Sequence, residues 1–165
     1  MNLVLIGMPG CGKSTIGKIL SKELNMKFYD ADKYLEDRNN MKISDMFKRG
    51  EEFFRNLESA ALKELSFEEN SVIATGGGAV TREKNILCLK KKGKIVFINR
   101  PPEKIMEDVD IENRPLLEHG KSRILKLYEE RYKLYINYCD YQVLNDGSID
   151  RVVLSIKKYL EGEGI

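Results

Sequence analysis

Short apolar runs alternate with longer amphipathic stretches along the whole chain. The runs Asn2–Ile6, Lys27–Asp30, Ser71–Thr75, Lys94–Asn99 and Tyr141–Leu144 have the length of strands, while Lys13–Leu24, Ile43–Leu65, Arg82–Lys91, Lys121–Tyr138 and Asp150–Leu160 carry helical spacing. In the central runs, Leu3-Val4-Leu5-Ile6 and Ile95-Val96-Phe97-Ile98, apolar residues follow one another without alternation, which suits parallel strands covered on both faces. Strands and helices taking turns in this way predict an α/β fold on a parallel sheet. No internal repeat, low-complexity tract or linker divides the chain, so residues 1–165 read as one domain.

Two intervals are longer than a connection requires. About forty residues, 31–70, lie between the second and third strands and carry two helical segments, whereas a crossover needs only about a dozen. The excess, residues 31–60, reads as a substrate-binding insertion over the carboxyl ends of the strands, where open α/β sheets hold their ligands. Residues 107–120 are rich in charge, hold Asn113-Arg114-Pro115 between two helices, and read as a mobile lid.

Composition excludes several classes. The 165 residues suit one substantial core, burying roughly 68–70% of the unfolded surface. The 28 basic and 26 acidic residues are mixed along the chain for a net charge of +2, with no basic stripe, so nucleic acid is not an expected partner. Cys11, Cys88 and Cys139, odd in number and widely spaced, form neither a disulfide framework nor a metal knuckle, and a reducing cytoplasm is the expected location. The apolar opening is too short for a signal peptide or a membrane span, so no membrane association is expected.

The strongest chemical signal follows the first strand. Gly7-Met8-Pro9-Gly10-Cys11-Gly12-Lys13-Ser14-Thr15 has the spacing of a phosphate-binding loop, between a strand and a helix. Glycines let the backbone of Gly10, Cys11 and Gly12 turn its N–H groups toward phosphate oxygens, and the following helix, with Lys13, Ser14 and Thr15 in its first turn, adds its positive end. Lys13 can reach the β- and γ-phosphates of a nucleotide, and the Ser14 hydroxyl can ligate Mg²⁺.

Other residues fall at strand ends, near that loop. Asp30 closes the second strand and suits a Mg²⁺ site through water; Asp32, two residues on, can face an acceptor or cap the helix that begins there. Gly76-Gly77-Gly78 follows the third strand, either as a plain turn or as a place where a ligand touches backbone. Arg55 and Glu58 share one helix face, which is either a carboxylate clamp or an exposed ion pair. Arg114 in the lid and Arg131 in the next helical stretch are further guanidinium partners for an anion, and His119 is without an evident role. A Mg²⁺-bound nucleotide, a nearby carboxylate and a small helical insertion fit phosphoryl transfer to a small, negatively charged acceptor better than a switch protein. A non-catalytic nucleotide-dependent module would bind without acceptor-dependent ADP release.

The ordered set Gly7–Thr15, Phe28-Tyr29-Asp30-Ala31-Asp32, Phe54-Arg55-Asn56-Leu57-Glu58, Gly76-Gly77-Gly78, Arg114-Pro115-Leu116-Leu117 and Arg131-Tyr132-Lys133-Leu134-Tyr135 resembles the shikimate kinase family over essentially the whole chain. The resemblance places the chain in the nucleoside-monophosphate-kinase-like branch of the P-loop NTPases, and implies a monomer with a three-layer α/β/α fold and a sheet ordered 2-3-1-4-5. It implies transfer of the γ-phosphoryl of Mg-ATP to the 3-hydroxyl of shikimate, on the route to chorismate and the aromatic amino acids. It also implies that Asp32, Arg55, Gly76 to Gly78 and Arg131 hold shikimate, with the two arginines on its carboxylate. Ser14 and Asp30 would serve Mg²⁺, and Lys13, Asp32 and Arg114 would be catalytic, Arg114 closing over the phosphates. The alternative is a gluconate-type or nucleoside-monophosphate kinase of the same branch, whose phosphate loop would look the same, while Arg55 and Arg131 with Asp32 favour a compact hydroxy acid.

The sequence departs from the family in three places. Glu107, followed by Asp108, occupies the position where many relatives carry an arginine that stacks on adenine. Asn145-Asp146-Gly147-Ser148 lacks a second such arginine, and Lys133 stands where proline is common.

Overall fold

The computed structural model describes residues 1–108 and 120–164. Within them β1 (Asn2–Ile6), β2 (Lys27–Asp30), β3 (Ser71–Ala74), β4 (Gly93–Asn99) and β5 (Tyr141–Leu144) form one parallel sheet in the order β2-β3-β1-β4-β5. The central strand explains the unbroken apolar run: β1 lies between β3 and β4, and Leu3 to Ile6 are fully buried. Removing one such side chain from water contributes about 1.5–3 kcal/mol. The edge strands β2 and β5 are correspondingly more exposed and less apolar.

Helices α1 (Lys13–Glu23), α5 (Glu83–Lys90), α7 (Gly120–Tyr138) and α8 (Ile149–Gly162) pack around this sheet, giving the three-layer α/β/α arrangement of P-loop kinases. Sequence order reverses about β1, since β3 lies on one side of it and β4 on the other. The crevice at the carboxyl end of β1 is therefore the expected ligand position of an open α/β sheet, and it is where residues 7–12 turn into α1.

The long interval between β2 and β3 holds three helices rather than two: α2 (Ala31–Asn39), α3 (Ile43–Lys48) and α4 (Glu51–Leu65). The helical spacing of residues 43–65 is interrupted at Gly50, whose φ of 114° lies outside the helical range. A common apolar face runs through the break, because Met46 and Phe54 bury into one small cluster with Leu35 and Ala61, and the Phe47 and Phe54 rings stack at 4.3 Å. This cluster is distinct from the main core around the sheet, so the insertion carries its own packing and holds α4 against the cleft. Another short helix, α6 (Pro102–Asp108), follows β4. The 107–120 lid assignment falls almost wholly on residues 109–119, outside the described residues, and so do Arg114 and His119.

Candidate active site

A cleft of about 680 Å³ opens at the carboxyl ends of the strands. One wall is the phosphate loop. Gly10 and Gly12 have φ of 80° and 100°, values that side-chain-bearing residues rarely adopt, and they let the loop turn into α1. Among the described residues no side chain caps that helix at Gly12, which leaves its first N–H groups for an anion. Lys13 is only 8% exposed and donates from Nζ to the Gly7 carbonyl at 2.9 Å and the Met8 carbonyl at 2.8 Å, so its ammonium is held over the loop.

Asp30 and Asp32 divide two jobs. The Asp30 backbone is extended and its Oδ1 accepts from the N–H groups of Asp32, at 3.1 Å, and Lys33, at 3.3 Å. The cap of α2 is therefore Asp30, and the capping alternative for Asp32 is overturned, because the residue at the strand end alone has the non-helical geometry a cap needs. The other oxygen of Asp30 accepts from Ser14 Oγ at 2.5 Å. A hydroxyl and a carboxylate paired beside a phosphate loop are hard oxygen donors that fit Mg²⁺ carrying much of its water shell.

Asp32, free of the capping duty, is aimed into the cleft. Burial, then the negative charges of Asp30 and Glu58, push its carboxyl up to about 6, against the opposing pull of Lys13.

The opposite wall holds Arg55 and Glu58. Arg55 is 9% exposed and Glu58 4%, with Arg55 Nη1 to Glu58 Oε2 at 2.7 Å, so the pair is buried rather than a solvated ion pair on the surface. Arg55 also lies 3.5 Å from Glu51 and 5.0 Å above the Phe54 ring. Glu58 Oε1 is buried without a hydrogen-bond partner among the described residues, an acceptor left for a ligand.

The glycine run closes the site. A Cβ at Gly76 would lie 2.7 Å from Asp32 Oδ1 and 3.0 Å from Glu58 Oε1, and one at Gly78 would collide with the Arg55 guanidinium. These carboxylates and the guanidinium thus press directly on the backbone of the run, and a side chain at either position would collide with them. Tyr135 of α7 fixes that backbone from behind: its hydroxyl donates to the Gly77 carbonyl at 2.6 Å and its ring stacks on Phe97 at 4.9 Å. Burial pushes the Tyr135 hydroxyl well above the usual phenol range, while the Arg131 guanidinium opposes it, so the two side chains are electrostatic neighbours. Arg131 lines the cleft.

Asp32, Arg55, Arg131, the phosphate loop and the glycine run therefore share one cleft, with Arg123 of α7 also on its wall. Sequence reasoning gave no role to Arg123, Tyr135 or Asn145. Arg123 and Tyr135 lie two turns and one turn from Arg131 on α7; Tyr135 ends the segment Arg131-Tyr132-Lys133-Leu134-Tyr135 that carries the resemblance, while for Arg123 the spacing was the only signal. Glu107 and Asp108 pair with Lys104 and Arg100, which ties the departure from the family to the end of α6.

A phosphate loop at the reversal of a 2-3-1-4-5 sheet, facing a buried arginine–carboxylate pocket, defines a P-loop kinase acting on a small molecule. The chain belongs to the shikimate kinase family, whose model, described as "SKI: Shikimate kinase", matches residues 9–161. A shikimate kinase of Clostridium botulinum is 53% identical over 156 residues, covering 94% of each chain. Among solved structures, shikimate kinase from Acinetobacter baumannii in complex with shikimate matches with a TM-score of 0.91 at 32% identity, covering 98% of this chain and 93% of that one. The Aquifex aeolicus enzyme matches at 0.87 and 40%, covering 100% and 99%. The activity of the family is ATP-dependent phosphorylation of shikimate to shikimate 3-phosphate. Among the described residues, no helix is long and apolar enough to cross a membrane.

Proposed function

We propose that this cleft transfers the γ-phosphoryl of ATP to the 3-hydroxyl of shikimate, with acceptor and nucleotide held by the residues around it. The observation that carries the reading is the buried Arg55–Glu58 pair facing Asp32 across Gly76, beside the phosphate loop. Arg55 and Arg131 take the substrate carboxylate, for which a planar fork is suited. The glycine run offers backbone, and Glu58 holds Arg55 in place. Asp32 orients the 3-hydroxyl and accepts its proton as the oxygen bonds to the γ-phosphorus; the bond to the bridging oxygen breaks and ADP leaves. Lys13 and the N–H groups of the loop offset charge on the phosphoryl oxygens. Ser14 directly, and Asp30 through water, would hold Mg²⁺, which when bound supplies further positive charge at those oxygens. Arg114, carried over from the family pattern, closes over the phosphates. We further propose that the protein works as a monomer in the cytoplasm.

The test is ADP release measured with shikimate, gluconate, AMP, CMP or no acceptor. Shikimate-dependent turnover is expected; turnover with gluconate or a nucleoside monophosphate but not with shikimate would overturn the acceptor assignment, and nucleotide binding without acceptor-dependent release would overturn catalysis.

The clamp makes a separate prediction. Arg55→Lys keeps the charge but loses the fork that meets Glu58 and a carboxylate together, so shikimate KM should rise by about tenfold or more while ATP KM stays within about twofold. Steady-state kinetics in each substrate check this. A larger change in ATP KM than in shikimate KM would reverse the assignment.

A further inference from the structure

We infer that Asn145 is a positioning residue for the nucleotide: from behind the phosphate loop it fixes the Cys11–Gly12 peptide so that the Gly12 N–H stays turned toward the cleft. The inference rests on nucleotide binding at that loop, as proposed above.

Asn145 follows β5 and is 1% exposed. Its Nδ2 donates to the Cys11 carbonyl at 2.9 Å, and its Oδ1 accepts from the Gly147 N–H at 3.3 Å. Its own N–H donates to the Asn99 carbonyl at 2.8 Å. Both ends of the amide are used and the backbone is anchored to β4, so the side chain has one orientation, with the donor toward Cys11. The anchor extends to α7, because the Asn99 side chain accepts from the Tyr128 hydroxyl at 3.0 Å.

A trans peptide is planar, with its C=O and N–H pointing in opposite directions. Holding the Cys11 carbonyl against Asn145 therefore turns the Gly12 N–H the other way, toward the cleft that Gly12 and Lys13 line. Gly12, on one side of this peptide, has a φ of 100° and brings the backbone freedom of glycine, so its own backbone does not enforce the orientation. A flipped peptide would present a carbonyl oxygen to a phosphate in place of a donor. Asn145 supplies the restraint, and it sits close enough that a Cβ on Gly12 would lie 3.2 Å from Nδ2.

Asn145→Asp keeps the shape and the acceptor for Gly147 but sets an oxygen against the Cys11 carbonyl. In calorimetric titrations with Mg²⁺ present, ADP should bind this variant about tenfold or more weakly than the wild type, while shikimate affinity for the nucleotide-free protein stays within about twofold. Asn145→Ala, which removes the donor without opposing it, carries the same expectation if the aspartate variant does not fold. ADP affinity within about twofold of the wild type in a folded variant would overturn the inference. Equal losses for ADP and shikimate would also overturn it, as a general loosening of the cleft. Failure of the wild type itself to bind ADP would instead remove the nucleotide reading on which the inference rests.

Discussion

Lys13→Ala should lower turnover by about a thousandfold or more, because it removes the ammonium held over the phosphate loop by the Gly7 and Met8 carbonyls. The ammonium is gripped by the Gly7 and Met8 carbonyls and lies 3.6 Å from Cys11 Sγ, so the loop itself sets its position. Such placement matters more to charge developing in the transition state than to ground-state affinity, and kcat should fall further than ATP KM rises. Lys13→Met separates charge from packing, since it keeps an unbranched apolar stem, and the same loss is expected there. The measurement is ADP release at saturating substrates, with thermal unfolding followed in parallel. Turnover within about tenfold of the wild type in a variant of ordinary stability would remove Lys13 from the chemistry.

What the sequence made legible follows the range of each interaction. The phosphate loop was readable because its requirements are local: glycines at the turns, lysine and serine at the start of a helix, an apolar strand before them. The strands were readable for a similar reason, since burial on both faces leaves an unbroken apolar run in β1 and β4. The break at Gly50 was harder to see, because Met46 and Phe54 keep to one apolar face on either side of it and the periodicity carries through.

Spacing put Arg55 and Glu58 on one face but could not say whether water reached it. Part of what covers that face is Gly78, beyond the end of α4, and only the fold brings it against the guanidinium. Spacing allowed Asp32 to cap the helix that follows β2; the extended backbone at the end of that strand gives the cap to Asp30 instead and leaves Asp32 to the cleft. Asn145 lies 134 positions from the carbonyl it holds, and no local pattern announces such a bond. The family resemblance supplied what spacing could not, giving the ambiguous Arg55–Glu58 pair the clamp role proposed above and setting the strand order that the sheet adopts.

Asp32→Asn should lower turnover by a hundredfold or more, up to about 10⁴-fold, at every Mg²⁺ concentration, since it keeps the size of the side chain and removes the group that accepts the substrate proton. Asp30→Asn differs in kind: it removes negative charge next to Ser14 Oγ, so added Mg²⁺ should recover part of its lost rate. Turnover against free Mg²⁺ at saturating ATP and shikimate distinguishes them, and full metal rescue of Asp32→Asn with none for Asp30→Asn would exchange the two roles. Stability should move the other way from activity. The folded protein holds the Asp32 carboxyl near 6, above its ordinary value of 3.8, because burial and the charges of Asp30 and Glu58 oppose ionisation. A carboxyl shifted upward binds its proton more tightly in the folded state, so its contribution is most favourable below pH 4 and is lost as pH rises through 6. Above that, the ligand-free wild type carries an opposed charge that asparagine lacks. The thermal midpoint of Asp32→Asn, measured without metal or nucleotide, should therefore equal or exceed that of the wild type at pH 7 to 8, with the difference shrinking toward pH 4. A variant that is both inactive and clearly less stable at neutral pH would mean that Asp32 supports the fold, and its loss of turnover could then no longer be read as the loss of a proton acceptor.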